Sequence, residues 1–203
     1  MNIVIIGPPA CGKGTLAKSL MKRYDLAHIE AGNLLRERAA MDDKLGREIG
    51  EIISRGDFVS EDLIFDLITD KLTSEDCETG FIVDGFPRTI TQAQRFDMFL
   101  KSKNIELDHV FSLIAPEDAL VERMQKRASG TQNKRSDDKL TVFFNRIANY
   151  KRFTSPLTGY YKAQDLTREI DASGTMEETL HQARQVILSK AAARRLHFNN
   201  KIM

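Results

Sequence analysis

Short apolar runs alternate with amphipathic stretches along most of the chain. The first run, Asn2 to Ile6, is β-branched, has the length of a strand and stops at Gly7. Leu16, Ala17, Leu20 and Met21 then fall on one helical face, which predicts a helix ending near Tyr24. Leu26 to Ile29 reads as a short second strand. Helical patterns follow at Gly32 to Ala40, Leu45 to Ser54 and Ser60 to Thr73. The last of these opens with Ser60 as N-cap and the acids Glu61 and Asp62 in its first turn. Phe81-Ile82-Val83 is a buried-type strand ending at Asp84, and a helix from Gln92 to Ser102 is boxed by Thr91 and Gln94. Val110 to Ile114 is another buried strand, followed by a helix from Pro116 to about Ala128. Ser129 to Ser136 is glycine- and polar-rich and breaks the pattern. Helices return from about Asp137 to Thr154, Glu169-Ile170 marks a last strand, and Thr175 with Glu178 boxes a final helix ending in Arg194 and Arg195. This alternation predicts an α/β fold, a parallel sheet with helices on both faces and ligand at the C-terminal ends of the strands.

Composition narrows the class without naming a function. The 203 residues suit one α/β domain with small insertions, and a net charge of +1 gives no basic nucleic-acid surface. The two cysteines, Cys11 and Cys77, are too few for a disulfide framework or a Cys-rich zinc site and suit a reducing compartment. No apolar stretch approaches transmembrane length and the first residues read as a strand, not a signal peptide, so the expected location is cytoplasmic.

Two stretches carry chemistry. Gly7-Pro8-Pro9-Ala10-Cys11-Gly12-Lys13-Gly14-Thr15 has the spacing of a Walker A loop between a strand and a helix. In such a loop, backbone N–H groups and the helix N-terminus surround phosphate oxygens, where the helix dipole favours negative charge. Lys13 is placed to reach the β- and γ-phosphates, and Thr15, or a water it holds, to face Mg²⁺. The implication is a nucleoside triphosphate site. The second stretch is Gly80 to Thr89. Asp84, at the end of an apolar strand, stands where a Walker B acid holds Mg²⁺ directly or through water; taken alone, a strand-end aspartate is more often a turn cap. Arg88 follows just beyond the sheet edge, where a guanidinium can clamp phosphate with two donors.

Gly7 to Thr15, Asp84-Gly85-Phe86-Pro87-Arg88 and Arg135-x-Asp137-Asp138 together resemble the nucleoside monophosphate kinases, and the adenylate kinases in particular, in register from Met1 to about Glu178. The resemblance implies a P-loop NTPase fold with a five-stranded parallel core (residues 1–29, 60–127 and 137–203), an NMP-binding helical insert (about 30–59) and a lid (about 128–136). It implies transfer of the ATP γ-phosphoryl to AMP with Mg²⁺, by a monomer that meets small nucleotides and neither nucleic acid nor membrane. The ATP side takes Gly7 to Thr15 and Gly174, with Arg123 beside the adenine and Arg127 at the phosphates. On the AMP side, Ala31, Gly32, Arg36, Gly85, Phe86 and Arg88 surround the acceptor, and Gln92 hydrogen-bonds the base, which Gly56, Asp57, Phe58 and Val59 also touch. Arg135 and Arg146 crowd the phosphates as the lid closes, oriented by Asp137 and Asp138. The catalytic set implied is Lys13, Arg88, Arg127, Arg135 and Arg146, with Thr15 and Asp84 facing the metal. Only seven residues separate Arg127 from Arg135, none of them Cys or His, which matches the short-lid form and excludes a zinc-bearing lid.

Some positions depart from the pattern. Ala10 replaces a glycine, so a positive φ there is strained. Ala31 and Asn33 replace a hydroxyl residue and an acid, and Leu140 replaces an acid. Ala31 is more typical of UMP/CMP kinases, whereas Thr89 and Gln92 point to AMP. A UMP/CMP kinase is therefore the alternative within the class, and an ATP-binding regulatory module without turnover the alternative outside it. Asn133 to Asp137 has its aspartate one position late for a guanine-reading motif and follows a helix, not a strand. The remaining candidates read as structural. Cys11, near a helix N-terminus, is a spacer or a thiol of lowered pKa. His28, His109, His181 and His197 show no metal spacing, and Phe143, Phe144, Tyr150 and Phe153 read as packing. The stretch from Lys190 to Met203 is basic and amphipathic.

Overall fold

The computed structural model describes residues 1–130 and 139–200, the last eight by backbone alone. Arg135, Asp137 and Asp138, and most of the expected lid, lie outside the described residues. Five strands, β1 (Asn2–Ile6), β2 (Ala27–Glu30), β3 (Phe81–Asp84), β4 (His109–Ile114) and β5 (Thr167–Asp171), form one parallel sheet in the order β2-β3-β1-β4-β5. The connection from β1 passes β3 to reach β2, and the connection from β3 passes β1 to reach β4, so the topological switch point where an open α/β sheet forms its crevice lies between the C-terminal ends of β1 and β3.

Side chains of β1 alternate between two cores, as the two-residue period of a strand requires. Val4 and Ile6 join Val83, Phe86, Phe96 and Tyr161 on one face. Ile3 and Ile5 join Leu16, Leu20, Phe111 and Ile170 on the other. The first core is closed by α2 (Ala31–Ala39), α3 (Lys44–Arg55), α4 (Glu61–Leu72) and α5 (Ile90–Ser102). The second is closed by α1 (Lys13–Tyr24), α6 (Glu117–Ser129), α7 (Leu140–Asn149) and α9 (Met176–Asn200). No helix among the described residues is long and apolar enough to cross a membrane.

Local chemistry explains the element ends. Ser60 accepts from the N–H of Leu63 at 3.3 Å and caps α4. At the start of α9, Thr175 Oγ1 accepts from the N–H of Glu178 at 3.2 Å while Glu178 Oε2 accepts from the N–H of Thr175 at 2.7 Å, a reciprocal capping box. The helix after β3 corrects the expected pairing of Thr91 with Gln94. Its cap is Thr89, which accepts from the N–H of Gln92 at 3.1 Å, and the helix starts at Ile90. Strand β2 sits one residue later than expected, so it ends on Glu30. The helical stretch expected from Asp137 to Thr154 is, in its described part, α7 followed by a π-helical turn, Tyr150–Thr154, and beyond it lies a short helix that the sequence pattern does not predict, α8 (Leu157–Lys162). Pro156 cannot donate to a continuing helix, and α8 buries only Leu157 and Tyr161, too few positions to announce itself. Phe143 is core, but Phe144 and Phe153 are exposed, which corrects their reading as packing residues.

Replacing Thr175 with Ala removes one half of the α9 box and should cost about 1 kcal/mol, a fall of roughly 2–4 °C in Tm for a domain of this size. Glu178→Ala should cost a similar amount and the double variant less than the sum, because the two side chains act as one unit. Additive losses in a thermal melt would show that the box does not act as a pair.

Candidate active site

The loop after β1 turns back over the strand and enters α1 at Gly12, which has φ +98° and no side chain with which to cap the helix. The first-turn N–H groups of α1 thus face the loop's own concavity. The Lys13 ammonium lies over that concavity, donating to the Gly7 and Pro8 carbonyls at 2.9 Å each. Cys11 lines the underside, 1% exposed, with its sulfur 3.9 Å from Lys13 Nζ. Burial raises the thiol pKa, and the neighbouring Lys13 only partly offsets it, so Cys11 is a spacer and not an activated thiol. Ala10 has φ +64°, the strained conformation expected where the pattern has glycine.

Asp84 ends β3 beside this loop and is 5% exposed. The Cβ position on Gly14 lies 3.4 Å from Asp84 Oδ2, an ordinary van der Waals distance, so the carboxylate packs against the first turn of α1. Burial pushes the Asp84 carboxyl pKa up. Lys13, His28 and Arg88 pull the other way, while Glu30 adds to the rise. The site therefore places a buried acid among two permanent cations. The Arg88 Nε donates to the Gly85 carbonyl at 2.8 Å, and its guanidinium lies 5.4 Å from the centre of the Phe58 ring.

Other predicted residues also come together. Arg123 donates to the carbonyls of Ala172, Ser173 and Gly174 at 2.7, 3.1 and 2.9 Å, joining two residues expected on the ATP side. Gly56 ends α3 with φ +79°, and a Cβ there would meet Arg146 Cγ at 3.1 Å and the Val142 carbonyl at 3.0 Å. Arg127 stands in the last turn of α6 and Arg146 in the last turn of α7, on either side of the undescribed segment. Arg36 is paired with Glu30 at 3.0 Å and also hydrogen-bonds Asn33. Gln92 is 4% exposed, and its Oε1 accepts from the N–H of Arg88 at 2.7 Å, so this side chain also fixes the Arg88 loop. Phe86 is fully buried edge-on to Phe96, and Val59 is core. Their side chains pack, which leaves only backbone for a ligand.

Among the described residues, sequence reasoning passed over three groups here. Glu30 ends β2 as Asp84 ends β3, and the rule that singled out Asp84 applies equally to it. Asn145 and Asn149 on α7 donate to the α3 terminus: Asn145 to the Arg55 carbonyl at 2.7 Å and the Asp57 carboxylate at 2.9 Å, Asn149 to the Gly56 carbonyl at 3.2 Å. The Asn145 bond to the carboxylate, with Arg55, holds the Asp57 pKa below its ordinary value. His28 is the third group. It faces Asp84 from β2, and burial lowers its pKa against the pull of Asp84 and Glu30.

A sequence model of the adenylate kinase family matches residues 5–166. The chain belongs to the adenylate kinase family. It is 40% identical over 176 residues to an adenylate kinase of Bartonella tribocorum, covering 84% of this chain and 91% of that one. An adenylate kinase of Bartonella henselae is 37% identical over 191 residues, 92% of this chain and all of the relative. An adenylate kinase of Nitrobacter winogradskyi is 34% identical over 191 residues, 92% and 93% of the two chains. The five-stranded parallel sheet flanked by helices is the fold this membership entails. Within an adenylate kinase frame, Ala10 is a departure that the backbone tolerates without relaxing. Ala10→Gly should relieve the left-handed strain and, after the extra chain entropy of glycine, stabilise by about 0.5–1 kcal/mol. Melting should show Tm rising by a few degrees; a fall would show that the Ala10 methyl group contributes more by packing than its backbone costs.

Proposed function

We propose that this chain transfers the γ-phosphoryl of ATP to AMP, reversibly giving two ADP. The observation that carries this reading is the position of Asp84, a buried carboxyl at the switch point that feels both the P-loop cation Lys13 and the guanidinium of Arg88. The two cations reach the same carboxyl from β1 and from β3, which suits a reaction that aligns a donor phosphate with an acceptor phosphate.

The reaction is an in-line displacement. An AMP phosphate oxygen forms the new bond to the γ-phosphorus as the bond to the β,γ-bridging oxygen breaks, and ADP leaves with that electron pair. No covalent enzyme intermediate is involved. The protein's contribution is alignment and charge stabilisation at the γ-phosphoryl oxygens. Lys13 and the loop N–H groups hold the donor. Arg36 and Arg88 hold the acceptor phosphate from two sides, and Arg127, Arg135 and Arg146 complete the cationic cage when the short lid at about 128–136 closes and excludes water. Gln92 reads the acceptor base beside the insert at about 30–59, and Gly56 to Val59 contribute backbone. Arg123 flanks the ATP adenine, and Gly174 lies on the ATP side. The donor set near Gly14, a Thr15 hydroxyl and the Asp84 carboxylate, is all oxygen and fits Mg²⁺, which when bound with ATP neutralises β- and γ-phosphate charge. We assign the chain to the cytoplasm as a monomer acting on small nucleotides.

An acceptor scan at saturating Mg·ATP tests the reading. ADP release should be fast with AMP and at least tenfold slower with CMP, UMP and GMP. Preference for CMP or UMP would make Ala31 the determinant of the base pocket, and no turnover with any acceptor would leave an ATP-binding module. Lys13→Ala should lower kcat by two to four orders of magnitude in a chain with unchanged circular dichroism, since it removes a charge aimed at the transferring group. Near-normal turnover would remove Lys13 from the mechanism.

A further inference from the structure

We propose that His28, Glu30 and Asp84 form a site for a divalent transition-metal ion, held by protein groups without any nucleotide. The parallel register builds it. His28 and Glu30 are two residues apart on β2 and face the same side of the sheet. Glu30 lies beside Asp84 in the register of β2 and β3, and His28 beside Ile82, whose side chain packs in the core under α1. One ligand atom from each of the three residues lies within 4.8 Å of the other two.

His28 supplies the second, independent indication. Its side chain is 9% exposed, and Nε2 is buried with no hydrogen-bond partner among the described residues. That nitrogen stands 4.0 Å from Asp84 Oδ2, beyond hydrogen-bond reach. A buried nitrogen left without a partner is costly, and an ion between it and the carboxylate satisfies both. Ligand atoms about 2.1 Å from a shared ion lie at most roughly 4.2 Å apart, so a small rotation of Glu30 or Asp84 closes the set. Both carboxylates line the first turn of α1, the Cβ position on Gly14 standing 3.4 Å from Asp84 Oδ2 and 3.9 Å from Glu30 Oε2. Lys13 beside Asp84 and Arg36 on Glu30 oppose a cation and limit its affinity. One imidazole with two carboxylates favours Zn²⁺ or Co²⁺ over Mg²⁺, which sets this site apart from an all-oxygen nucleotide–metal site sharing Asp84.

The test is titration of the full chain with Zn²⁺ by calorimetry, without nucleotide, alongside His28→Gln and Glu30→Gln. One Zn²⁺ per chain should bind in the parent, and each substitution should weaken it tenfold or more, with weak Mg²⁺ binding unchanged by His28→Gln. Near-ultraviolet circular dichroism checks folding of the variants. In the unsubstituted chain, Zn²⁺ should move the His28 ring-nitrogen resonances, which needs no variant to fold. Unmoved His28 resonances, or a His28→Gln chain that binds Zn²⁺ as tightly as the parent, would overturn the site. A Co²⁺ complex whose absorption shows thiolate ligation would overturn it as well. None of these readouts depends on phosphotransfer.

Discussion

The structure depends on one constraint, the placement of β1 at the centre of a parallel sheet, with two strands on either side of it. A central strand in a sheet covered by helices is buried on both faces, which demands the unbroken apolar run Ile3 to Ile6 and leaves no polar side chain within it. Polar chemistry is therefore pushed to the strand's C-terminal end. There the loop N–H groups and the start of α1 create a positive potential that the core cannot screen with water. Lys13 reinforces that potential, and the acids that end β2 and β3 are held against it.

Burial sets the character of those acids. Asp84 in solution would be an ordinary carboxylate. Enclosed between strands, its pKa rises with the loss of water, and the cations around it decide how much of its charge survives. The same enclosure makes Cys11 inert, because the thiolate has no solvent and Lys13 is a weak substitute. Both residues lie beside the same cationic loop, and burial is the largest influence on each.

Much of this was legible in the sequence because it is local. The strand-end glycine loop, the acid at the end of β3 and the Thr175–Glu178 box depend on spacing within one element, and each stands where spacing puts it. The misreadings are cases where a nearby competitor won. Thr89 took the cap from Thr91 because Gln92 is pinned by the N–H of Arg88, which pulls the helix start two residues earlier. The short helix α8 after Pro156 carries too few apolar positions to register. What sequence could not show is adjacency across strands. Spacing pairs His28 with Glu30 but says nothing of Asp84, which arrives only through the β2–β3 register.

The contacts between α7 and the end of α3 follow from the same limit and bear on how the enzyme moves. Asn145 and Asn149 bind carbonyls and a carboxylate at Arg55 to Asp57, so the segment that carries Gly56 is tied to the helix that carries Arg146. In this arrangement the end of α3 and the body of α7 are mechanically joined. Gly56 and Asp57 share this small interface with Asn145, Arg146 and Asn149, and glycine suits its position because φ is +79° and a Cβ would press on Val142 and Arg146. Hydrogen bonds between neutral groups contribute about 1 kcal/mol each, and the bond to the Asp57 carboxylate somewhat more, enough to bias the docking of α3 on α7 several-fold. A joint of that strength suits an enzyme that must grip two charged nucleotides and then release both.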